Sequence, residues 1–368
     1  MFWSILVFLL VLSVLVLVHE FGHYWVAKRN GVWVEEFGFG LPPRVFGKKI
    51  GETLYSINLF PFGGFVRLHG EMNEDGVTKP KRAFLNKSLW VKTAVIIAGV
   101  IMNFLLAIVC FAIVYSFSGI PKDIQEVKVL DVSINSPAHI AQILVGDVIK
   151  KVDGQEVKSV AEFITKIEDK KGKKVVLEID PLGDIESRKV TITPRAEPPE
   201  GEGPLGVSIT NIETYYPPVW QRPFYGAYYG TQEAVYWGKA VVVGFVGIFS
   251  DLFQGQAPKD VSGPVGVFAI TSEVAKTGVL SLINLVGIIS VNLAILNIIP
   301  FPALDGGRLL FIVIEAVFGK KVAPKVEGVI HSIGMIILLL AILAITIKDI
   351  RGLISAGSIS GFLNNMIK

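Results

Sequence analysis

The sequence predicts a polytopic α-helical membrane protein with four transmembrane helices and one small inserted α/β domain. Of its 368 residues, 51% are hydrophobic and 18% are charged, which is too apolar for an ordinary soluble protein. Several apolar runs are long enough, or nearly so, to cross a hydrocarbon layer about 30 Å thick. Between the second and third of these runs lies a polar stretch of short β-type segments. A lipid bilayer is therefore the expected environment of most of the chain.

The four predicted spans divide the chain into four parts. The spans lie at about residues 2–27, 94–117, 280–299 and 329–347. The parts are a first membrane portion at 1–118, an inserted domain at 122–195, a linker with an interfacial amphipathic helix at 196–279, and a second membrane portion at 280–368. No Lys or Arg precedes the first apolar run and no small-residue cleavage site follows it. We therefore expect an uncleaved first span and not a signal peptide.

Charge and cysteine content exclude some classes of protein and indicate an orientation. The net charge of +3 and the lack of a basic stripe with interleaved aromatic residues predict no nucleic-acid partner. Cys110 is the only cysteine, which excludes a disulfide framework and a thiolate zinc site. Residues 24–92 contain eleven Lys and Arg, whereas none precedes the first span. The positive-inside rule places that loop in the cytoplasm and the N-terminus and inserted domain outside, although Lys348 and Arg351 weigh weakly against this.

His19, Glu20 and His23 form the sequence H-E-F-G-H at the end of the first apolar run. On a helix, histidines at positions i and i+4 point to one face and can bind one zinc ion through neutral imidazole nitrogens. Glu20 then lies beside the metal, where its carboxylate can take a proton from the attacking water and deliver it to the leaving amine. The alternative is a chance motif whose polar groups merely pair with one another. Ionisable residues at membrane depth cost about 2.5 to 3.5 kcal/mol each, which favours a compensating ligand.

Asp305 is the predicted third ligand, because two histidines leave a zinc site incomplete and no other histidine is well placed. It ends the segment N-I-I-P-F-P-A-L-D, which begins at Asn297, and two glycines follow it. The prolines and glycines are expected to unwind the helix end, which is tolerated at membrane depth where the freed backbone is buried or lines a wet cavity. The alternative is an ordinary span end with Asp305 facing solvent.

Residues 240–253 form a fifth apolar stretch, which we predict to lie at the membrane interface. If the first and third spans both contribute to one zinc site, they must run in the same direction, so only the second span can cross between them. The stretch is short and contains Gly244 and Gly247, and nearby aromatic residues suit the headgroup level.

The combination of H-E-F-G-H in the first span with N-I-I-P-F-P-A-L-D-G-G near a later one resembles the site-2 protease family of intramembrane zinc metalloproteases, bacterial RseP type (regulator of sigma-E protease). The resemblance implies a Zn²⁺ cofactor bound by His19, His23 and Asp305, with Glu20 as general base and Asn297 as a substrate contact. It also implies a bacterial inner-membrane location. The expected substrate is a single-span membrane protein, such as an anti-sigma factor or a remnant signal peptide.

Two further segments are similar to parts of that family. Residues 36–70, including Gly63 and Gly64, resemble its membrane-dipping β-hairpin loop, where an extended edge could receive an unwound substrate. From the residues alone this is a Gly- and Phe-rich loop of unknown purpose. Residues 98–103 match the second-span pattern, except that Val100 stands where a proline is usual. That difference predicts a straighter helix.

The inserted domain is predicted to contain strands at 127–132, 148–152, 175–179 and 189–193 and a helix at 160–170. Its segments 136–141 and 145–154 resemble a circularly permuted bacterial PDZ domain, of which the chain has room for one. Such a domain would bind an extended peptide or a free C-terminus, or would act as a steric filter, and both roles stay open. Residues 260–267 resemble a family segment near the substrate path, or form a simple turn.

Two other functions compete with the protease. The first is a catalytically inactive, membrane-anchored PDZ protein that binds peptides as a chaperone, which the presence of both Glu20 and Asp305 disfavours. The second is a zinc transporter, since broken helices and intramembrane acids also line ion paths. Few spans and the lack of an internal repeat argue against it.

Overall fold

The structure, a computed structural model, describes residues 2–71, 77–182, 186–256, 261–319 and 322–367. The described residues form helices α1 (Phe2–Arg29), α2 (Leu89–Ser118), α3 (Pro137–Ile140), α4 (Val160–Glu168), α5 (Arg222–Phe253), α6 (Pro264–Thr277), α7 (Val279–Ile298), α8 (Asp305–Phe318), α9 (Pro324–Ala356) and α10 (Ile359–Ile367). They form strands β1 (Val34–Ile50), β2 (Thr53–Leu68), β3 (Ile120–Val132), β4 (Val148–Val152), β5 (Gln155–Glu156), β6 (Val175–Asp180), β7 (Arg188–Ile192) and β8 (Val207–Tyr215). The chain divides into a helical unit, Met1–Ser118 with Val219–Lys368, and an inserted domain, Gly119–Pro218.

Five helices within the described ranges are long and apolar enough to cross a membrane. Four of them, α1, α2, α7 and α9, coincide with the predicted spans. The fifth is α5, which differs from the short interfacial helix predicted at 240–253 because it runs without a break from Arg222 to Phe253. Gly244 and Gly247 lie inside it, since each glycine costs a helix only about 1 kcal/mol relative to alanine.

Helix α5 packs along α2 through small residues. The Ser116 hydroxyl donates to the Arg222 carbonyl oxygen at 3.1 Å, where α5 begins. Further along α5, a Cβ atom placed on Gly230 would lie 2.6 Å from the Ala112 backbone nitrogen. Higher residue numbers on α5 therefore contact lower residue numbers on α2, so the two helices are antiparallel.

Helices α1 and α7 also run antiparallel to α2 and therefore parallel to each other, as the shared site requires. The contacting pairs in order along α2 are Val95 with His23 and Asn103 with His19 for α1, and Asn103 with Ser290 and Phe111 with Gly287 for α7.

Helices α5 and α7 are both antiparallel to α2, so the chain must reverse direction between them, and α6 makes this reversal. Its Phe268 ring contacts Phe8 edge to face at 5.6 Å, and its Ser272 hydroxyl bonds the Ser4 hydroxyl at 2.9 Å. These two contacts show that α6 is antiparallel to α1. The chain therefore reverses direction along α6, which allows α7 to start at the same side as α5 and α1. Helices α1 and α7 run in the same direction, as predicted, whereas the short interfacial helix predicted at 240–253 is the end of the long helix α5. Residue 260, which opens the predicted turn at 260–267, lies outside the described residues, and α6 begins at Pro264.

Strands β1 and β2 each bend, so the predicted β-hairpin is a sheet of four short segments. Residues 36–39 pair in parallel register with residues 54–57 on one side. On the other side they pair antiparallel with residues 64–67. Residues 44–50 pair antiparallel with 53–58 and form the far edge. The segment order is therefore 64–68, 34–40, 53–60, 44–50.

One bend of this sheet, near Gly63, lies against the middle of α1. Gly40 (φ 78°) and Gly63 (φ 85°) supply left-handed backbone at the bends, which glycine adopts without steric cost. The Ser13 hydroxyl donates to the Pro61 carbonyl oxygen at 3.0 Å. This contact places the sheet alongside the same helix that carries the two histidines.

The inserted domain is an antiparallel sheet in the order β7-β6-β4-β3-β8, with β5 on β4. Helix α4 begins where the Ser159 hydroxyl accepts the Glu162 N–H, and it buries Phe163 and Ile167 one turn apart. The apolar faces of these elements form a core of their own: Val127, Val129, Ala138, Ile143, Ile149, Val152, Val157, Phe163, Ile167, Val175, Leu177, Ile179, Ile192 and Leu205.

The domain is longer than the predicted 122–195, since β8 belongs to its sheet. β8 pairs antiparallel with β3 over most of its length, from Val207 with Val132 to Tyr215 with Ile120. Residues 196–218, the first part of the segment predicted as a linker, instead belong to the domain, where Arg195 and Glu202 form an ion pair at 2.6 Å.

Candidate metal centre

Helix α1 places His19 and His23 one turn apart on the face that contacts α2. Their Nε2 atoms lie 3.1 Å apart, and their rings are nearly perpendicular at 84°. His23 Nδ1 lies 2.8 Å from the Val95 carbonyl oxygen. A carbonyl oxygen only accepts, so the His23 proton is on Nδ1, and Nε2 keeps its lone pair for a metal.

Asp305 reaches the two imidazoles from a distant part of the chain, as the first residue of α8. Its Oδ2 atom lies 3.0 Å from His19 Nε2 and 3.2 Å from His23 Nε2. A carboxylate oxygen and two imidazole nitrogens therefore face one another at distances that a shared ion could span.

The turn between α7 and α8 fixes the position of Asp305. Ala303 has φ 84°, a left-handed backbone that alanine rarely adopts. A Cβ atom on Gly306 would lie 2.1 Å from the Ile299 carbonyl oxygen, and one on Gly307 would lie 2.5 Å from that of Phe301. Both positions need glycine, because α8 starts directly against the backbone of the turn.

The three donor atoms fit a zinc ion. Their separations of 3.0 to 3.2 Å are close to the roughly 3.3 Å edge of a tetrahedron of ligands about 2.05 Å from zinc. Asp305 Oδ2 is buried without a hydrogen-bond partner in the described part of the chain, as suits a ligand atom. Among the described residues, this is the one group of three His, Cys, Asp or Glu donors close enough to share an ion. Two imidazoles and one carboxylate with a fourth position open are typical of catalytic zinc sites.

Glu20 lines a cavity of about 1220 Å³ together with His23 and Asp305. The outermost segment of the bent sheet, residues 64–68, passes beside it. A Cβ atom on Gly64 would lie 3.7 Å from Glu20 Cγ, so the glycine leaves space for about one methyl group between the strand and the Glu20 side chain. The cavity is large enough for several residues of an extended peptide, and its polar lining residues beyond the metal group are Glu71, Arg308, Lys325, Glu327, His331 and Ser332.

Four predicted site residues are not among those that line this cavity: His19, Gly63, Gly64 and Asn297. Asn297 is half-buried in the last turn of α7, ahead of the turn that leads to Asp305. Gly63 forms a bend of the sheet. A Cβ atom placed on it would have Leu41 Cγ as its nearest neighbour, at 3.6 Å. The structure brings Gly64 near the Glu20 side chain and places Gly63 at a bend of the sheet with left-handed backbone.

Sequence reasoning assigned no role to the α2 residues that surround the histidines. A Cβ atom on Gly99 would lie 2.5 Å from His23 Nε2 and 2.7 Å from His19 Cε1. One turn further, the fully buried Asn103 lies 3.3 Å from His19 Nδ1. The available signal was the match of 98–103 to the second-span pattern.

Polar contacts also hold α8 and its preceding turn in place. Arg308 pairs with Glu71, which follows β2, and Lys92 on α2 donates to Glu315 at 2.9 Å. His331 on α9 accepts the Ala303 N–H at 2.9 Å, so it supports the strained turn. These contacts fix Asp305 from three sides.

Comparison with known proteins agrees with this site. The model of peptidase family M50 matches residues 7–341. A relative from Clostridium acetobutylicum is 35% identical over 350 residues, covering 95% of this chain and 98% of its own. The zinc metalloprotease RasP of Geobacillus kaustophilus is 31% identical, covering 95% of this chain and 98% of its own, and the regulator of sigma-W protease RasP of Bacillus subtilis is 28% identical, covering 95% and 99%.

Among solved structures, the PDZ domain of an SdrC-like protein of Listeria innocua is 32% identical with a TM-score of 0.21 and covers 24% of this chain and 99% of its own. The family match spans both histidines, Glu20 and Asp305. The chain therefore belongs to peptidase family M50, and it is an intramembrane zinc metalloprotease of the site-2 type.

Proposed function

We propose that His19, His23 and Asp305 are the zinc ligands and that Glu20 is the general base. The observation that carries this is the triangle of two Nε2 atoms and one carboxylate oxygen, 3.0 to 3.2 Å apart. Both histidines lie on α1, which also carries Glu20 into the cavity. Bound zinc supplies Lewis-acid chemistry, since it polarises the scissile carbonyl and acidifies water. Glu20 takes the proton from the attacking water and delivers it to the leaving amine.

The substrate segment lies extended along the free edge of residues 64–68. A helix hides its amides in i to i+4 hydrogen bonds, so a transmembrane substrate must unwind before a carbonyl can approach the metal. The strand edge supplies the backbone partners that the unwound segment loses, and Gly64 leaves space beside Glu20. Asn297 contacts the substrate backbone from the end of α7, and Gly63 shapes the strand's bend.

The enzyme lies in a bacterial inner membrane with its N-terminus and inserted domain on the extracytoplasmic side. The eleven basic residues between Tyr24 and Lys92 support this orientation by the positive-inside rule. Helix α5 enters the membrane beside α2, and α6 returns, so the metal centre lies towards the cytoplasmic side, where α1 ends.

The substrate class is a single-span membrane protein such as an anti-sigma factor or a remnant signal peptide. The name of the Bacillus subtilis relative, regulator of sigma-W protease, supports the first of these. The inserted domain acts as a PDZ module that binds a peptide or C-terminus or excludes substrates with large outer domains.

The test is cleavage of a single-span reporter with a helix-destabilised transmembrane segment, with zinc content measured in parallel. We expect Glu20→Gln to lose at least about 100-fold in rate, the usual contribution of a general base, while it retains one zinc per chain. Glu273→Gln, which makes the same chemical change at the ion pair with Lys276 on α6, is the matched control and keeps wild-type rates. Equal cleavage by wild type and Glu20→Gln would contradict the assignment.

A further inference from the structure

Helix α2 presents one continuous face to the two imidazoles. Val95, Gly99 and Asn103 follow one another at intervals of four residues and therefore lie on the same side of the helix. The Val95 carbonyl oxygen accepts the His23 Nδ1 proton, and Gly99 leaves room for both rings. His23 is thus held by a fixed acceptor, which leaves the question of what holds His19.

Asn103 is the residue in position to do so. Its side chain is fully buried, and its Nδ2 atom lies 3.3 Å from His19 Nδ1. Its Oδ1 atom is also buried and has no hydrogen-bond partner among the described residues. A half-turn of the amide exchanges the two atoms and pairs Oδ1 with His19 Nδ1–H. A metal on His19 Nε2 requires this orientation, because Nε2 must then carry the lone pair and Nδ1 the proton.

We propose that Asn103 is a positioning residue that fixes the metal-binding tautomer of His19. With Oδ1 as acceptor, the His19 proton stays on Nδ1 and the Nε2 lone pair faces Asp305, just as the Val95 carbonyl fixes His23. The Ser290 hydroxyl on α7 donates to the Asn103 carbonyl oxygen at 2.8 Å, so it contacts the backbone of this residue and not its amide side chain. The inference rests on the proposed ligand set.

The experiment measures zinc affinity of the purified full-length protein by competition with a chelator. Asn103→Leu keeps the volume and removes the acceptor, and we expect it to weaken zinc binding about 10- to 100-fold, as loss of a partner behind a ligating histidine usually does. Asn103→Asp offers only acceptor atoms and stays within a few-fold of wild type. Ser290→Ala, which removes the hydrogen bond to the same residue's backbone, controls for helix packing and keeps wild-type affinity.

Two reference measurements make every outcome decisive. His19→Ala tests the ligand set itself: wild-type zinc affinity in that variant would overturn the proposed centre. If His19→Ala loses zinc but Asn103→Leu does not, or if Asn103→Asp loses as much as Asn103→Leu, the positioning role alone is overturned. Should Asn103→Leu fail to fold, ¹⁵N-histidine spectra of the zinc-loaded wild type decide. We expect an exchange-protected proton on His19 Nδ1, and a freely exchanging one would refute the role.

Discussion

Replacement of Gly99 by alanine is the most direct test of the metal centre's packing. The added methyl carbon would lie 2.5 Å from His23 Nε2 and 2.7 Å from His19 Cε1, whereas ordinary contacts are about 3.5 Å or longer. One or both imidazoles must therefore move by about 1 Å, because helix backbones yield less readily than side chains. A misplacement of about 1 Å at a reacting centre can cost about 100-fold in rate, so we expect a loss of that size in kcat/KM together with weaker zinc binding.

The assay is reporter cleavage combined with chelator competition, and Gly230→Ala is the matched control. A Cβ atom on Gly230 would meet the Ala112 backbone nitrogen at 2.6 Å, so this variant is as crowded at the α2–α5 contact as Gly99→Ala is at the histidines. Overpacking costs about 1 to 3 kcal/mol of stability in either case, but only Gly99→Ala should alter zinc affinity. A Gly99→Ala enzyme with wild-type zinc affinity and activity would refute the placement of α2 against the ligands.

Two further predictions follow from the ion pairs and the domain boundary. Glu71→Gln leaves the mostly buried Arg308 guanidinium without its partner, so we expect a loss of about 3 to 5 kcal/mol in the free energy of unfolding. Arg308→Met in the same chain should restore part of this loss in a thermal unfolding assay, and full stability of the single variant would contradict the pair. Residues 119–218 expressed alone should fold with a cooperative thermal transition, whereas 119–195, which lacks β8, should not. A cooperative transition in the shorter fragment would show that β8 is dispensable.

The grouping of His19, His23 and Asp305 could be predicted from the sequence because the local context of each residue is itself the signal. The i, i+4 interval puts His19 and His23 on one side of any helix, whatever surrounds it. Asp305 could be predicted for a related reason, since the prolines and glycines around it indicate a broken helix in any tertiary context. Neither inference requires knowledge of which helices touch.

The residues behind the ligands could not be predicted in this way. Helices α1 and α2 are apolar on all sides, so hydropathy does not indicate which face of α2 meets the histidines. The roles of Gly99 and Asn103 depend on the axial register of two antiparallel helices, which only packing determines. The small residues Gly22 and Gly99 were the available hint, since small residues mark close helix contacts in membranes.

The directions of α5 and α6 show that counting passes does not by itself determine how many helices lie between α1 and α7. Parity requires only an odd number of passes between α1 and α7, and both α2 alone and α2 with α5 and α6 satisfy it. Helix α6 has 14 residues, about 21 Å at 1.5 Å per residue, so a search for runs of span length misses it. Gly226, Gly230 and Ala234 repeat at intervals of four on α5, which in a membrane indicates close packing on another helix. That pattern of small residues, and not the hydropathy of 240–253, was the evidence for a long helix beside α2.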